Sequence, residues 1–242
     1  MAPRTIIAVL VFALAGSLPA LAQLYHWTDE AELSFVQTSG NTDLVSFSAR
    51  NLLKYRFSEK IEGSWRLAAL YGKTGSEKTA ESYSTELRGN YLITERFYAS
   101  ALAGWMRDTF AGKDSRVYAG PALGYKFLLG PVHLLSGEVG LLYAREDYTD
   151  DTDESFLEGR ALGSYEYLFS DKNRFLQSVE FFYDFDDSRN YNVLSETAMI
   201  SEINGYLSLK AGYFVAYDHC PTPETLKKTD TRLAVTLIVN FR

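Results

Sequence analysis

The most constraining feature of this chain is the alternation in its last segment, from Leu233 to Phe241. Successive side chains of a β-strand point to opposite faces, so this segment has one apolar face. That face carries Leu233, Val235, Leu237, Val239 and Phe241. The other face is small or polar except at Ile238. The pattern predicts a strand whose two faces meet different environments.

A late aromatic residue in phase with the apolar face is typical of the assembly signal of bacterial outer-membrane β-barrels. Arg242 follows Phe241, whereas such barrels usually end on the aromatic. The segment therefore predicts the barrel-assembly machinery as a partner. The expected signal consists of Tyr217, Leu237, Val239 and Phe241.

Residues 1–22 have the three parts of a secretory signal peptide. Arg4 supplies the basic lead, Thr5 to Leu18 is almost entirely apolar, and Ala20-Leu21-Ala22 fits the cleavage site. The apolar run is short for a membrane-spanning helix, which needs about 20 residues. We expect cleavage between Ala22 and Gln23, export across the inner membrane, and one domain over residues 23–242.

The rest of the chain alternates in the same way between turn signals, which predicts about twelve antiparallel strands. Strands of roughly 9–11 residues suffice to cross a bilayer at a tilt, and bacterial single-chain barrels have an even strand number. Tight connections are expected at 58–60, 94–96, 129–131, 170–173 and 202–205. Longer polar loops are expected at 72–81, 108–115, 145–153 and 218–228. The predicted fold is all-β, a single up-and-down transmembrane β-barrel with short periplasmic turns and longer extracellular loops.

Aromatic residues on the apolar faces lie mostly near strand ends, for example Tyr55, Tyr91 and Trp105. A membrane barrel places aromatics in two girdles at its interfaces, whereas a sandwich core favours them centrally. The charged faces then line the interior of the barrel. The candidate lumen-lining residues are Arg50, Lys54, Arg66, Glu86, Arg88, Glu138, Glu158, Arg160, Glu166 and Lys210.

Several short stretches resemble the bacterial family known as domain of unknown function 481, whose members carry the label "salt-induced outer membrane protein". The first two are Thr38-Ser39-Gly40-Asn41-Thr42-Asp43, after an early Trp27, and Arg107-Asp108-Thr109-Phe110-Ala111-Gly112. The others are Arg116…Gly120…Gly124-Tyr125, Ser195-Glu196-Thr197 and Lys227-Lys228-Thr229-Asp230. The similarity spans nearly all of the chain after residue 22. It implies an outer-membrane barrel and little about activity.

Catalytic and metal-binding patterns are weak. A barrel hydrolase of the phospholipase kind needs a nucleophile with a base in hydrogen-bond reach, and only His219 is placed near the expected outer rim. A protease could be drawn from Asp186, Asp187 and His219. The acidic segment 145–154 could bind Ca²⁺ through its oxygens, but it lacks the spacing and the glycine of a calcium loop. We expect a solvated loop, no cofactor, no metal, and an ordinary thiol at Cys220.

The leading hypothesis is a non-enzymatic barrel that forms a narrow, weakly selective pore for small solutes or ions, or a structural or stress-related component of the envelope. The alternatives are the hydrolase and a soluble periplasmic carrier of the lipocalin kind, although such carriers use eight strands. The net charge of −7, which becomes −8 without Arg4, disfavours nucleic acid. Outer-membrane lipid is the expected surrounding. A monomer is expected, because no polar stripe is evident on the lipid-facing side.

Overall fold

The structure, a computed structural model, describes residues 27–38 and 44–241 and contains twelve strands. The signal peptide, the cleavage site at Ala22 and Gln23, the turn at 39–43 and Arg242 lie outside the described residues. The strands are β1 Trp27–Thr38, β2 Leu44–Arg56, β3 Ile61–Thr74, β4 Glu77–Leu92, β5 Phe97–Asp108, β6 Lys113–Leu129, β7 His133–Tyr148, β8 Asp153–Leu168, β9 Asn173–Asp184, β10 Tyr191–Asn204, β11 Leu207–Asp218 and β12 Thr229–Phe241. A single 3₁₀ turn, Thr109–Ala111, joins β5 to β6 within this part of the chain.

Each strand pairs antiparallel with its neighbours in sequence, and β12 returns to β1 to close the barrel. This is the predicted up-and-down barrel, and its strand number is the predicted one. Strands run from 12 to 17 residues, which exceeds the ~9–11 needed to cross a bilayer. No helix in the two described ranges is long and apolar enough to cross a membrane.

The two ends of the barrel differ in their connections. At the end where β1 begins and β12 finishes, here called the terminal end, the turns are two to four residues long. At the opposite end, the loop end, the longest connections are 185–190 and 219–228. The β3–β4 turn consists only of Gly75 and Ser76, and Gly75 has the positive φ of 60° that suits a two-residue hairpin turn.

The boundaries predicted for three of the four long loops were too wide, whereas the loop predicted at 218–228 agrees with the structure to within one residue. Strand pairing continues to Thr74 and resumes at Glu77, so most of the predicted loop 72–81 is strand. Likewise β7 continues to Tyr148 and β8 starts at Asp153, which leaves only 149–152 of the acidic loop. These strand ends project beyond the length needed to cross the membrane, where water can solvate both faces, so polar residues do not terminate them.

Away from the register shifts at the strand ends, odd-numbered residues of the strands face outward, and large apolar side chains are exposed there. Phe35, Val139 and Leu233 are 62%, 63% and 77% exposed. On five strands an aromatic residue lies near each end, and the two are eight positions apart. These pairs are Trp27 and Phe35, Phe47 and Tyr55, Tyr83 and Tyr91, Phe97 and Trp105, and Phe175 and Tyr183.

Eight residues at about 3.3 Å each separate the two aromatic levels by about 26 Å along a strand. With strands tilted by roughly 35–45°, this separation corresponds to about 20 Å along the membrane normal, which is comparable with the apolar band of about 25 Å in outer-membrane barrels. Adjacent strands continue the levels, because Trp27 is paired with Tyr55 and Phe35 with Phe47. The outer surface thus carries two aromatic girdles around an aliphatic belt.

A charge in the middle of this belt is expected to destabilise the barrel. Replacing Val139, near the centre of β7, with arginine should lower the free energy of unfolding by about 2–4 kcal/mol, because a charged side chain there faces hydrocarbon. Ile203 is 57% exposed and lies at the terminal end of β10. Replacing it with arginine should lower the free energy of unfolding by only about 0–1 kcal/mol. Urea unfolding in lipid vesicles measures both, and equal costs would contradict the position of the belt.

Candidate functional site: the charged interior of the barrel

Even-numbered residues of the strands face the interior, and charged side chains meet there across the barrel. Arg50 on β2 bonds Glu196 on β10 at 3.1 Å. Arg88 on β4 bonds Glu138 on β7 at 2.7 Å. These strands are not neighbours in the sheet, so such contacts form only through the interior. All ten candidate lumen-lining residues occupy inward-facing positions in the strand register, and eight of them make ion pairs.

The first group of charges, the Glu138 cluster, lies in the middle of the barrel. Glu138 is 4% exposed and accepts two hydrogen bonds from Arg88, at 2.7 and 2.9 Å. Arg160 on β8 bonds the same carboxylate and also reaches Glu180 on β9. Ser100 donates a further, longer hydrogen bond of 3.4 Å. Glu138 therefore joins two arginines that would otherwise repel each other.

The second group, the Glu146 cluster, lies towards the loop end. Arg116 on β6 bonds both Glu146 on β7 and Glu158 on β8. Lys113 approaches Glu146 to 2.7 Å and Asp218 on β11 to 4.0 Å. Glu146 and Glu158 are only 2% and 1% exposed. Buried carboxylates of this kind are tolerated because each has a cationic partner.

The third group, the Glu196 cluster, joins β1, β2, β10 and β11 near the closing pair of strands. Lys210 donates to Glu32 at 3.0 Å and approaches Glu196 to 2.5 Å. Arg50 lies 3.1 Å from Glu196 and 4.0 Å from Glu32. Two cations and two anions therefore alternate around one ring of contacts. Arg232 on β12 lies nearby, 4.4 Å above the ring of Phe214.

Tyrosines and glycines fill the space between these groups on β4, β5 and β6. A side chain at Gly124 would meet the ring of Tyr98 at 2.0 Å, and one at Gly104 would meet Tyr118 at 2.4 Å. Each tyrosine therefore lies flat over a glycine of the neighbouring strand. Tyr118 also donates a hydrogen bond of 3.0 Å to Glu86, which pairs with Arg66 at 3.3 Å.

Sequence reasoning named only part of these groups. Lys54 and Glu166 make no ion pair with any described residue, although their positions face inward. The residues it did not select are Glu32, Lys113, Arg116, Glu146, Glu180, Glu196 and Arg232. Most of these sit at even positions in phase with the selected residues, so the strand alternation was the signal that could have found them.

The residues considered for hydrolysis have other partners. The Nδ1 atom of His219 lies 2.8 Å from the hydroxyl of Tyr217, and its ring stacks on Tyr191 at 4.5 Å. Cys220 donates through its thiol to the carbonyl of Arg189. Hydrogen bonds from Arg189 lower the pKa of Asp187 and keep that carboxylate ionised. Among the described residues, no group of three or more His, Cys, Asp or Glu side chains could hold a metal ion.

The outward face is not entirely apolar, which corrects the argument given for a monomer. Gln177 on β9 donates to Ser195 on β10 at 3.0 Å and accepts from Thr197 at 2.6 Å. These three residues form a polar patch within the lipid-facing belt. Within the patch, the side-chain nitrogen and oxygen of Gln177 each have a hydrogen-bond partner.

The proposed assembly residues share the outward face near the closing strands. Leu237 and Val239 are paired with Leu33 and Ala31 of β1, and Phe241 with Asp29. Tyr217 faces outward at the far end of β11, opposite Thr229. Phe241 is 47% exposed, so its ring is available on the outer surface.

A comparison with protein families assigns the barrel. Residues 31–241 match the model described as "Protein of unknown function, DUF481". The chain belongs to this family. The resemblance drawn from the short motifs is thereby confirmed. The chain is also 28% identical over 203 residues to the uncharacterized protein YdiY of Escherichia coli K12, which covers 84% of this chain and 79% of that protein.

Solved structures confirm the fold class. The COG4313 outer-membrane channel of Pseudomonas putida F1 is 11% identical with a TM-score of 0.54, covering 90% of this chain and 95% of that one. The NanC porin is 7% identical with a TM-score of 0.51, covering 88% and 97%. The family member thus has the fold of outer-membrane barrels. Twelve strands also rule out the eight-stranded carrier architecture.

Proposed function

We propose that this family member is a non-enzymatic outer-membrane barrel that forms a narrow, weakly selective channel for small ions and solutes. The observation that carries the proposal is the lining of the interior by paired charges of both signs. Eight-stranded barrels are filled by side chains and barrels of sixteen strands hold an aqueous channel, so twelve strands suit an intermediate bore. The similarity of the fold to the channel and the porin named above supports the proposal of an outer-membrane channel.

The paired charges account for both the narrowness and the weak selectivity. The Glu138, Glu146 and Glu196 clusters place salt bridges across the interior, and a cavity of about 150 Å³ remains beside Arg50 and Phe214. Cavities of this size hold a few water molecules and not a continuous wide pore. Because cations and anions occur in similar numbers, neither sign of permeant ion is strongly favoured.

The orientation belongs to the same proposal. Residues 1–22 are removed at Ala22 during export, and outer-membrane barrels place short turns in the periplasm and longer loops outside. The terminal end then faces the periplasm. Tyr217, Leu237, Val239 and Phe241 are the residues that the assembly machinery would recognise from the lipid side.

Swelling of proteoliposomes tests the channel directly. We expect small solutes such as glycine to enter vesicles that contain the folded barrel, and a disaccharide to be excluded, because the paired clusters restrict the bore. Vesicles with heat-unfolded protein are the control. A correctly folded barrel that admits neither solute would contradict the channel and favour a structural role in the envelope.

A further inference from the structure

The closing seam between β1 and β12 is paired over only part of its length. Residue pairs run from Asp29–Phe241 to Leu33–Leu237 and stop there, although β1 continues to Thr38 and β12 begins at Thr229. By contrast, β1 pairs with β2 from Trp27 to Thr38, and β11 pairs with β12 from Leu207 to Tyr217. Within the described residues, the loop-end half of this seam therefore lacks a ladder.

An unpaired seam is unusual in a membrane, because lipid offers no hydrogen bonds to exposed strand edges. Here the side chains that flank it are apolar and well exposed: Phe35 at 62%, Leu233 at 77% and Val235 at 62%. The gap thus joins the lipid-facing surface to the interior through an apolar border.

A cavity lies directly behind this gap. It is lined by Arg232, Ala234 and Thr236 of β12, by Glu32 and Arg50, and by Phe214. Its volume is about 150 Å³. One wall of the cavity is therefore the open part of β12, and the other walls include Glu32 and Arg50 of the Glu196 cluster together with residues 68–70 of β3 and Ser82 of β4.

Arg232 is the feature of this cavity that points to a ligand. Its guanidinium lies 4.4 Å above Phe214, its Nε atom is buried without a hydrogen-bond partner, and it makes no ion pair with any described residue. Arg50, the neighbouring arginine, is partly satisfied by Glu196. Arg232 is half-buried, and a planar carboxylate matches the geometry of a guanidinium whose buried Nε atom has no partner, because it accepts two parallel hydrogen bonds.

We propose that the unpaired loop-end half of the closing seam is a lateral entrance. Arg232, assisted by Arg50, binds the carboxylate of a long-chain fatty acid there. The acyl chain lies in the gap beside Phe35, Leu233 and Val235, and the carboxylate enters the cavity. An additional β-strand from another protein would satisfy the strand edges but would leave the guanidinium unpaired. A fatty acid supplies an acyl chain for the apolar border and a carboxylate for Arg232, and it leaves the backbone edges of β1 and β12 unpaired.

A binding assay on the purified, folded chain in non-ionic detergent tests whether a fatty acid binds, and it does not require the barrel to conduct. A fluorescent long-chain carboxylate is bound and then displaced by palmitate. We expect Arg232→Gln to weaken palmitate binding about tenfold or more, because it removes a charge-assisted hydrogen bond. Arg232→Lys should retain part of the affinity. Arg66→Gln, an inward-facing arginine outside the cavity lining, is the matched control and should leave binding unchanged.

Competing ligands distinguish the contribution of the carboxylate to binding from that of the acyl chain. Hexadecanol, which lacks the charge, and acetate, which lacks the chain, should both fail to displace the probe. Displacement by acetate as effective as by palmitate would reduce the site to a simple anion site and overturn the acyl part of the proposal. Preferential displacement by dodecyl phosphate would assign the site to a lipid phosphate instead. Equal binding by wild type and Arg232→Gln would overturn the proposal.

A pair of engineered cysteines tests the opening itself, in a Cys220→Ser background. Ala31→Cys with Val239→Cys joins two paired positions and should oxidise readily. The cysteines of Phe35→Cys and Val235→Cys lie on opposite sides of the unpaired part of the seam. They should remain reduced, because a disulfide needs Cα atoms within about 7 Å. Complete oxidation of the second pair in the folded barrel would show a closed seam and contradict the lateral entrance.

Discussion

Replacing Glu138 with glutamine is expected to lower the stability of the folded barrel by about 3–5 kcal/mol. Arg88 and Arg160 both depend on this carboxylate, which is 4% exposed. A neutral amide leaves Arg88 without a carboxylate partner and leaves Arg160 with Glu180 alone to balance its charge. The temperature at which the folded gel band converts to the unfolded band should fall clearly, and urea unfolding should give the free energy.

Glu166→Gln is the matched control for this substitution. It makes the same chemical change on the inward face, but Glu166 has no ion pair among the residues described, so its expected cost is within about 0.5 kcal/mol. The two variants should also differ in selectivity, because Glu138→Gln leaves unpaired positive charge in the middle of the channel and should favour anions. Equal stability of both variants would mean that the Glu138 cluster does not hold the interior together.

Replacing Gly120 with alanine is expected to prevent or strongly impair folding. The added methyl group would lie 2.0 Å from the carbonyl oxygen of Leu141 and 2.9 Å from the Cα atom of Leu142. Both contacts are with backbone, so relief requires β6 and β7 to separate. Overpacking of this kind costs about 1–3 kcal/mol or more. The refolded fraction, read from the heat-modifiable gel shift, should fall far below that of the wild type.

Gly163→Ala provides the comparison for Gly120→Ala. It introduces the same methyl group in β8, where nothing lies within 4 Å of it. Its effect should be neutral or slightly stabilising, because glycine within a strand carries an entropic cost relative to alanine. If Gly120→Ala refolds as well as Gly163→Ala, the close approach of β6 and β7 is wrong.

The alternation of the sequence was sufficient to predict the barrel and the side of the wall that residues in the central parts of the strands face. This worked because a strand period of two fixes the two faces, and lipid outside and charge inside select opposite residues for them. Register irregularities occur near strand ends, such as between Lys113 and Ser115, and do not invert the phase in the centre. Hence all ten candidate residues lie on inward-facing positions.

The partners of those residues could not be predicted in the same way. Arg50 meets Glu196, and Arg88 meets Glu138, only because closure of the barrel sets the stagger between strands. A single sequence contains no direct signal for that stagger. Arg116 and Glu146 were missed as site residues because one was noticed only in a family motif and the other lay in a predicted loop.

The open seam was likewise invisible in the sequence. Alternation is lost at Val36-Gln37 and over residues 229–232, but polar residues at a strand end do not by themselves show that the ladder stops at Leu33 and Leu237. The polar patch at Gln177 had a weak signal, since the tenth strand alternates poorly around Ser195 and Thr197. Departures from alternation of this kind mark positions at which a polar side chain lies on the lipid-facing side.

The most direct test of the channel is the conductance of the refolded chain in a planar bilayer under a salt gradient, with the heat-modifiable gel shift confirming that it is folded. Paired charges of both signs predict small discrete current steps and a reversal potential close to zero. Strong preference for one sign of ion, or silence from a fully folded barrel, would contradict the account of a narrow channel lined by mutually neutralised charges.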